Sequence, residues 1–130
     1  METVHKQFRK RNAILSCLQA TKTHPSADML HALLQEDHPD ISLGTVYRNL
    51  ALFKSQGTIM SLGTFGGAER FDGNTAPHVH FVCTRCYDII DLSDMQTPDS
   101  LCSAAAESAG GKVDACQLTF TGVCGKCLNL

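Results

Sequence analysis

The sequence predicts an α+β protein of two small domains, and three observations lead there. Apolar residues recur at the helical period up to Ser55 and then switch to a period of two. Gly73-Asn74-Thr75-Ala76-Pro77 has the composition of a linker. Two C-x-x-C pairs, Cys83-Thr84-Arg85-Cys86 and Cys124-Gly125-Lys126-Cys127, bracket the remaining residues. The expected boundaries are 1–72 for the first domain, 73–77 for the linker and 78–130 for the second.

Residues 4–20 read as the first helix, with Phe8, Ile14, Leu15 and Leu18 on its apolar stripe. His24-Pro25-Ser26-Ala27-Asp28 reads as the start of a second, with Pro near the first turn and Asp28 at the positive end. Met29, Leu30, Leu33 and Leu34 are its expected buried face, and His38-Pro39-Asp40 ends it. Ser42 is a good N-cap for a third helix that runs to about Ser55 and stops at Gly57. Val46, Leu50 and Phe53 point inward there, leaving Tyr47, Arg48, Asn49 and Lys54 outside.

After Gly57, residues 58–63 and 68–72 read as strands around Phe65-Gly66-Gly67. Three helices followed by a hairpin is the layout of a winged helix, in which the third helix enters the major groove of DNA and the wing touches the backbone. Tyr47, Arg48 and Asn49 are the candidate DNA contacts.

Total charge does not suggest a nucleic-acid binder, because the net is −2. The halves differ, however. Residues 1–70 carry eight Lys/Arg against six Asp/Glu, and residues 71–130 carry three against seven. Lys6, Arg9, Lys10 and Arg11 fall in one short stretch, and a local basic face matters more for phosphate contact than the total.

In the second half, residues 78–83 alternate as a strand, with His78, His80 and Val82 on one face. Residues 88–92 read as a second strand, 99–109 as a short Ala-rich helix, and 112–121 as a third strand after Gly110-Gly111. There is no signal-peptide core and no apolar run of the roughly 18 residues that a membrane span needs. The expected setting is cytoplasmic and reducing, with no membrane partner. There, seven cysteines favour metal over disulfides.

A C-x-x-C pair lets two thiolates meet one tetrahedral ion at roughly 2.3 Å per Zn–S bond, and two pairs complete a structural Zn²⁺ site. Cys83, Cys86, Cys124 and Cys127 are its ligands. A redox dithiol would need a thioredoxin-like context. Cys17, Cys102 and Cys116 belong to no motif and read as small buried apolar residues.

The second constellation is His78-x-His80 with Asp72 upstream and Asp91 downstream, a borderline-hard set suited to Fe²⁺, Mn²⁺ or Zn²⁺. His24 is a candidate fifth ligand from the first domain. A zinc deaminase would need glutamate where His80 stands, so no enzyme is expected.

These residues carry a family resemblance. Ser42-Leu43-Gly44-Thr45-Val46-Tyr47-Arg48-Asn49-Leu50, Arg70-Phe71-Asp72, His78-Val79-His80-Phe81-Val82-Cys83, Ile89-Ile90-Asp91 and Gly122-Val123-Cys124, in that order, resemble the ferric uptake regulator (Fur) superfamily. Within it the chain is most similar to the PerR-type peroxide-stress branch.

The resemblance implies a homodimeric, metal-dependent repressor that binds a near-palindromic double-stranded DNA operator, with a C-terminal α/β dimerisation domain. It assigns Cys83, Cys86, Cys124 and Cys127 to structural zinc. His24, Asp72, His78, His80 and Asp91 fall to a regulatory Fe²⁺ or Mn²⁺.

Aspartate at 72 and 91, where iron-sensing relatives commonly have glutamate, implies peroxide sensing through oxidation of His24 or His78, with peroxide as the only small-molecule reactant. The alternative is an iron or manganese availability sensor. Two departures stand out. The stretch before His24 is short, so the leading helix is expected to be trimmed or missing. Residues 113–117 lack the histidines that many relatives carry there.

Overall fold

The computed structural model describes residues 2–76 and 78–129, and the side chains of Glu2, Thr3 and Val4 are left out of account. The chain forms two compact units, residues 1–75 and 76–130.

The first unit is a winged helix. Helix α1 (Glu2–Ala20), α2 (Ala27–Leu34) and α3 (Leu43–Ser55) precede a hairpin of β1 (Met60–Phe65) and β2 (Ala68–Asp72). Its core joins Ile14 and Leu18 of α1, Leu30 and Leu34 of α2, Val46, Leu50 and Phe53 of α3, and Ile59 and Phe71 of the wing. Both expected helix starts are capped by a serine. Ser26 Oγ accepts from Met29 N–H at 3.2 Å and Ser42 Oγ from Thr45 N–H at 3.2 Å. Such a cap is worth about 1 kcal/mol, because the first-turn N–H groups have no partner within the helix.

Three expectations about the buried faces fail. Phe8 is 61% exposed, since α1 meets the core only from its middle onward. Met29 and Leu33 are also exposed. The buried residues of α2 are Ala27, Leu30 and Leu34, spaced i, i+3 and i+7. Met29 and Leu33 form the adjacent i, i+4 stripe, about 100° round the helix from Leu30 and Leu34. A stripe of five apolar residues is wider than the surface available to cover it.

The wing pairs Phe65 with Ala68 across Gly66-Gly67, both at positive φ, which is the two-residue turn that matches strand twist. Strand β1 begins at Met60 rather than residue 58, because Met60 pairs with Asp72, the last residue of β2. The register slips between Ser61 and Gly63, and Gly63 takes φ +110° at this bulge.

The second unit is a three-stranded sheet of order β4-β3-β5, from β3 (Val79–Cys83), β4 (Ile89–Leu92) and β5 (Thr119–Gly122). Strand β4 runs antiparallel to β3, and β5 runs parallel to it after the crossover helix α4 (Asp99–Ala109). Gly110 closes α4 in the left-handed conformation.

The long third strand expected over 112–121 is only four residues. Its ladder pairs Thr119 with His80 and Gly122 with Cys83, so it ends where β3 ends. A last short helix, α5 (Gly125–Leu128), was not expected; it starts from Cys124 and so holds the second cysteine pair. No helix among the described residues is long and apolar enough to cross a membrane.

Candidate metal centres and nucleic-acid face

The β3–β4 turn and the start of α5 bring the four motif cysteines together, with their sulfurs within 4.8 Å of one another. Four sulfurs at about 2.3 Å from one ion stand about 3.8 Å apart at tetrahedral angles. Cys86 Sγ and Cys124 Sγ are 3.7 Å apart, close to one edge of such a tetrahedron.

The backbone prepares the charge. The N–H groups of Cys86, Cys124 and Arg85 each donate to Cys83 Sγ at 3.4 Å and hold its pKa down at about 5. Burial, together with the neighbouring sulfurs, pushes Cys127 up to about 12. Cys83, Cys124 and Cys127 are themselves a buried core, flanked by Phe81 and Val123. Thr84 N–H and Oγ donate to Gly122 O at 2.7 and 3.0 Å, and Lys126 Nζ pairs with Asp88 at 2.6 Å, tying the two cysteine pairs together.

A second cluster in the same unit joins β3 to β4. His80 is the register partner of Asp91 and is 1% exposed. His80 Nε2 lies 3.2 Å from Asp91 Oδ1, and His78 Nε2 lies 3.3 Å from the same oxygen. The two rings stand 4.2 Å apart. His78 Nδ1 is 2.6 Å from Ala76 O. A carbonyl only accepts, so Nδ1 carries a proton, and the ring turns Nε2 toward the carboxylate. An imidazole whose other nitrogen donates to a carbonyl is the usual state of a metal-ligating histidine.

In the first unit, His24 and Asp72 form a pair of their own. His24 Nε2 is 3.4 Å from Asp72 Oδ2, with both residues buried. His24 sits at φ +52°, a left-handed conformation that costs a non-glycine residue about 1–3 kcal/mol unless its surroundings hold it there.

Arg70 holds it. This buried guanidinium donates through Nε to His24 O at 2.6 Å and through Nη2 to Thr23 O at 2.9 Å. Phe71 N–H adds a bond to Pro25 O at 3.0 Å. Asn74 N–H donates to Asp72 Oδ1 at 2.9 Å, which fixes the carboxylate's rotation. Sequence reasoning gave Arg70 no role. Its signal is weak, because an arginine two residues from a candidate ligand looks like any wing cation.

Arg70→Met should keep the side-chain volume and lose both charged donors. The expected cost is about 2–4 kcal/mol in thermal unfolding, from about 1.5–3 kcal/mol per charge-assisted bond set against lost burial of the charge. An unchanged melting temperature would refute the clamp.

The candidate DNA residues divide between surfaces. Tyr47 is 53% exposed and borders the groove between α3 and the wing. Lys10 and Arg11 of α1 line a separate groove of about 450 Å³ with Thr45, Arg48 and Asn49 of α3. Lys10 and Arg11 of the basic stretch thus share a surface with Arg48 and Asn49. Arg48 Nη2 donates to Thr45 Oγ1 at 3.1 Å, and Asn49 Nδ2 donates to Thr45 O at 2.8 Å. Gly44 leaves Arg48 its room, since a Cβ there would stand 3.3 Å from the guanidinium. Arg9 points elsewhere: it pairs with Asp40 at 2.5 Å and keeps that carboxyl below its usual range. Lys6 is exposed.

With this geometry in hand, comparison with known proteins is decisive for the family. A sequence model of the ferric uptake regulator family matches residues 2–121. The chain belongs to the ferric uptake regulator family.

Among curated members, the peroxide-responsive repressor PerR of Staphylococcus aureus (strain USA300) is 41% identical over 83 residues. That match covers 64% of this chain and 56% of the relative, so the chain spans about half the length of the curated relatives it matches. Among solved family structures, the Campylobacter jejuni peroxide stress regulator superposes with a TM-score of 0.82 at 27% identity, covering 97% of this chain and 94% of that one. The ferric uptake regulator from Francisella tularensis with iron superposes with a TM-score of 0.75 at 26% identity, covering 92% and 91%.

Proposed function

We propose that this Fur-family chain is a metal-dependent DNA-binding transcriptional repressor that responds to peroxide. One observation carries the reading. His78 and His80 turn their Nε2 atoms to a single oxygen of Asp91, while His78 Nδ1 is committed to a backbone carbonyl. The solved relatives include one described with iron and one with manganese.

In this reading His78, His80 and Asp91 supply three ligands to a regulatory Fe²⁺ or Mn²⁺, and His24 and Asp72 supply the other two. The three ligands and the two come from different units of the chain. A metal that binds the DNA-competent arrangement more tightly than the other shifts the population toward it. Cys83, Cys86, Cys124 and Cys127 hold a zinc that stabilises the second unit.

Peroxide sensing rests on the two aspartates and on the similarity to a protein described as a peroxide-responsive repressor. Aspartate is one methylene shorter than glutamate, which leaves room beside the ion for a small oxidant. Iron, when bound, supplies the electrons that reduce peroxide. His24 and His78 are the residues that take up oxygen, and an oxidised imidazole is a poor ligand. The protein then loses its hold on DNA.

DNA binding is assigned to α3 and the groove shared by Lys10, Arg11 and Arg48. A homodimer would present two such faces to a two-fold operator. The second unit has the exposed apolar residues a partner copy would cover, among them Ile90, Leu101 and Phe120.

The test is operator binding by fluorescence anisotropy with Mn²⁺ and with chelator. Tight binding that chelation abolishes is expected; binding indifferent to metal would overturn the reading. Arg48→Ala should weaken binding about tenfold or more, in line with 1–3 kcal/mol for a base-contacting arginine, and should leave Mn²⁺ affinity unchanged. Equal operator affinity in this variant would remove α3 from the interface.

A further inference from the structure

Three polar side chains at the start of α3 converge on Thr45, a residue outside the Tyr47, Arg48 and Asn49 cluster. Arg48 Nη2 donates to its hydroxyl at 3.1 Å, Asn49 Nδ2 donates to its carbonyl at 2.8 Å, and the Ser42 and Thr45 hydroxyls share a bond at 2.9 Å. The spacing follows from the helix, in which residues three and four apart stand over one another on one face.

Each bond removes a freedom. In a helix, threonine splits between two side-chain rotamers. The bond to Ser42, which also caps the helix, holds Thr45 in the one that offers Oγ1 to Arg48. Arginine only donates, so the hydroxyl accepts, and one guanidinium N–H is spent on it. The planar fork keeps the others for a base edge or a phosphate. Gly44 bounds the guanidinium on its other edge, where Nη1 would stand 3.3 Å from an added Cβ. Arg48 is exposed and shares its groove with Lys10 and Arg11. Like charges there push a loose guanidinium out toward solvent, and the Thr45 hydroxyl opposes that.

We propose that Thr45 is a positioning residue for sequence reading: its hydroxyl pre-orients Arg48 for the operator. The proposal rests on the assignment of α3 to DNA. A free arginine gives up its rotamers at the moment of binding, while one already held gives up less. The gain falls on the sequence-specific part of binding, because attraction to phosphates follows charge rather than the direction of one fork.

Fluorescence anisotropy on the full chain with zinc and Mn²⁺ bound tests this. The probe is the duplex that the chain enriches from a random-sequence pool, with a shuffled duplex of equal composition as reference. Thr45→Val keeps the branched shape and the backbone N–H that bonds Ser42, and removes only the bonds of the hydroxyl. Affinity for the enriched duplex should fall about 3–10-fold, the effect of ordering one long side chain at binding, with the shuffled duplex unchanged. Single base-pair changes should place the lost discrimination at the position that Arg48→Ala makes indifferent. Thr45→Val should add nothing to Arg48→Ala, since the two act through one contact. Thr45→Ser, which keeps the hydroxyl, should restore the parent's discrimination.

Gly44→Ala answers the same question should valine disturb the helix. Its Cβ displaces the guanidinium while alanine favours the helix, so discrimination should fall at the same base pair in a chain at least as stable.

Full discrimination in Thr45→Val and in Gly44→Ala, with Arg48→Ala still defective, would overturn the proposal and leave α3 on DNA. A loss equal on both duplexes that persists without Arg48 would also overturn it, since Thr45 would then act on the DNA backbone or on the fold itself. If Arg48→Ala binds as the parent does, or the pool yields no enriched sequence, the DNA assignment falls and the proposal with it.

Discussion

Cys124→Ser is expected to empty the four-cysteine site and melt most of residues 76–130 at neutral pH. Cys124 does three jobs there. Its sulfur is one corner of the cluster, its N–H donates to Cys83 Sγ, and it begins α5. Serine keeps the size but is a far poorer zinc ligand, because its hydroxyl does not ionise near neutral pH.

The unit has little else to hold it. Its strands are four or five residues long, and Cys83, Cys124 and Cys127 themselves form a buried cluster. A domain this small is marginal on burial alone, whereas a structural zinc site in small peptides is worth about 10–16 kcal/mol. The measurement is zinc content by mass spectrometry together with thermal unfolding. Loss of the bound zinc and of the cooperative transition of this unit is the expected result, while residues 1–75 keep their own transition, since that unit has its own buried core from Ile14 to Phe71. A variant that keeps a full transition without zinc would show that the cluster is not structural.

The second large effect is expected at Asp91. Its Oδ1 is the shared partner of His78 and His80, and its side chain is a third exposed, so Asp91→Ala should fold normally. Without it the two Nε2 atoms lose the anion that gathers charge at this spot. Partners that only orient a ligand are worth roughly 10–100-fold in metal affinity, and a direct ligand should cost more. Mn²⁺ titration by calorimetry should therefore fall by more than about 100-fold while zinc stays bound. Operator binding should then lose its response to Mn²⁺. Asp91→Glu divides the reading further: it should keep metal-dependent DNA binding and lower the yield of histidine oxidation by peroxide. Unchanged Mn²⁺ affinity in Asp91→Ala would remove this residue from the site.

Local signals carried most of what could be read in advance. Ser42 and Gly57 bound α3 as capping chemistry requires, and residues 99–109 are helical as read. The cysteine and histidine positions needed only strand alternation and C-x-x-C spacing.

What was missed depends on partners far away in sequence. Periodicity put Phe8, Met29 and Leu33 on apolar stripes but could not say how wide a surface would meet them. Residues 112–118 alternate like a strand, yet β5 is only as long as β3 allows. Arg70 became visible as a clamp only once Thr23 and His24, 47 and 46 residues away, were beside it.

The central claim is that His24 and His78 sense peroxide through iron. The most direct measurement loads the protein with Fe²⁺ under anaerobic conditions, adds a small excess of hydrogen peroxide, and takes intact and peptide masses. The account predicts one added oxygen on the peptide carrying His24 or His78, none in the Mn²⁺ form, and loss of operator binding in proportion. Unmodified histidines, with zinc retained and DNA still bound, would contradict it and make the chain a sensor of metal availability.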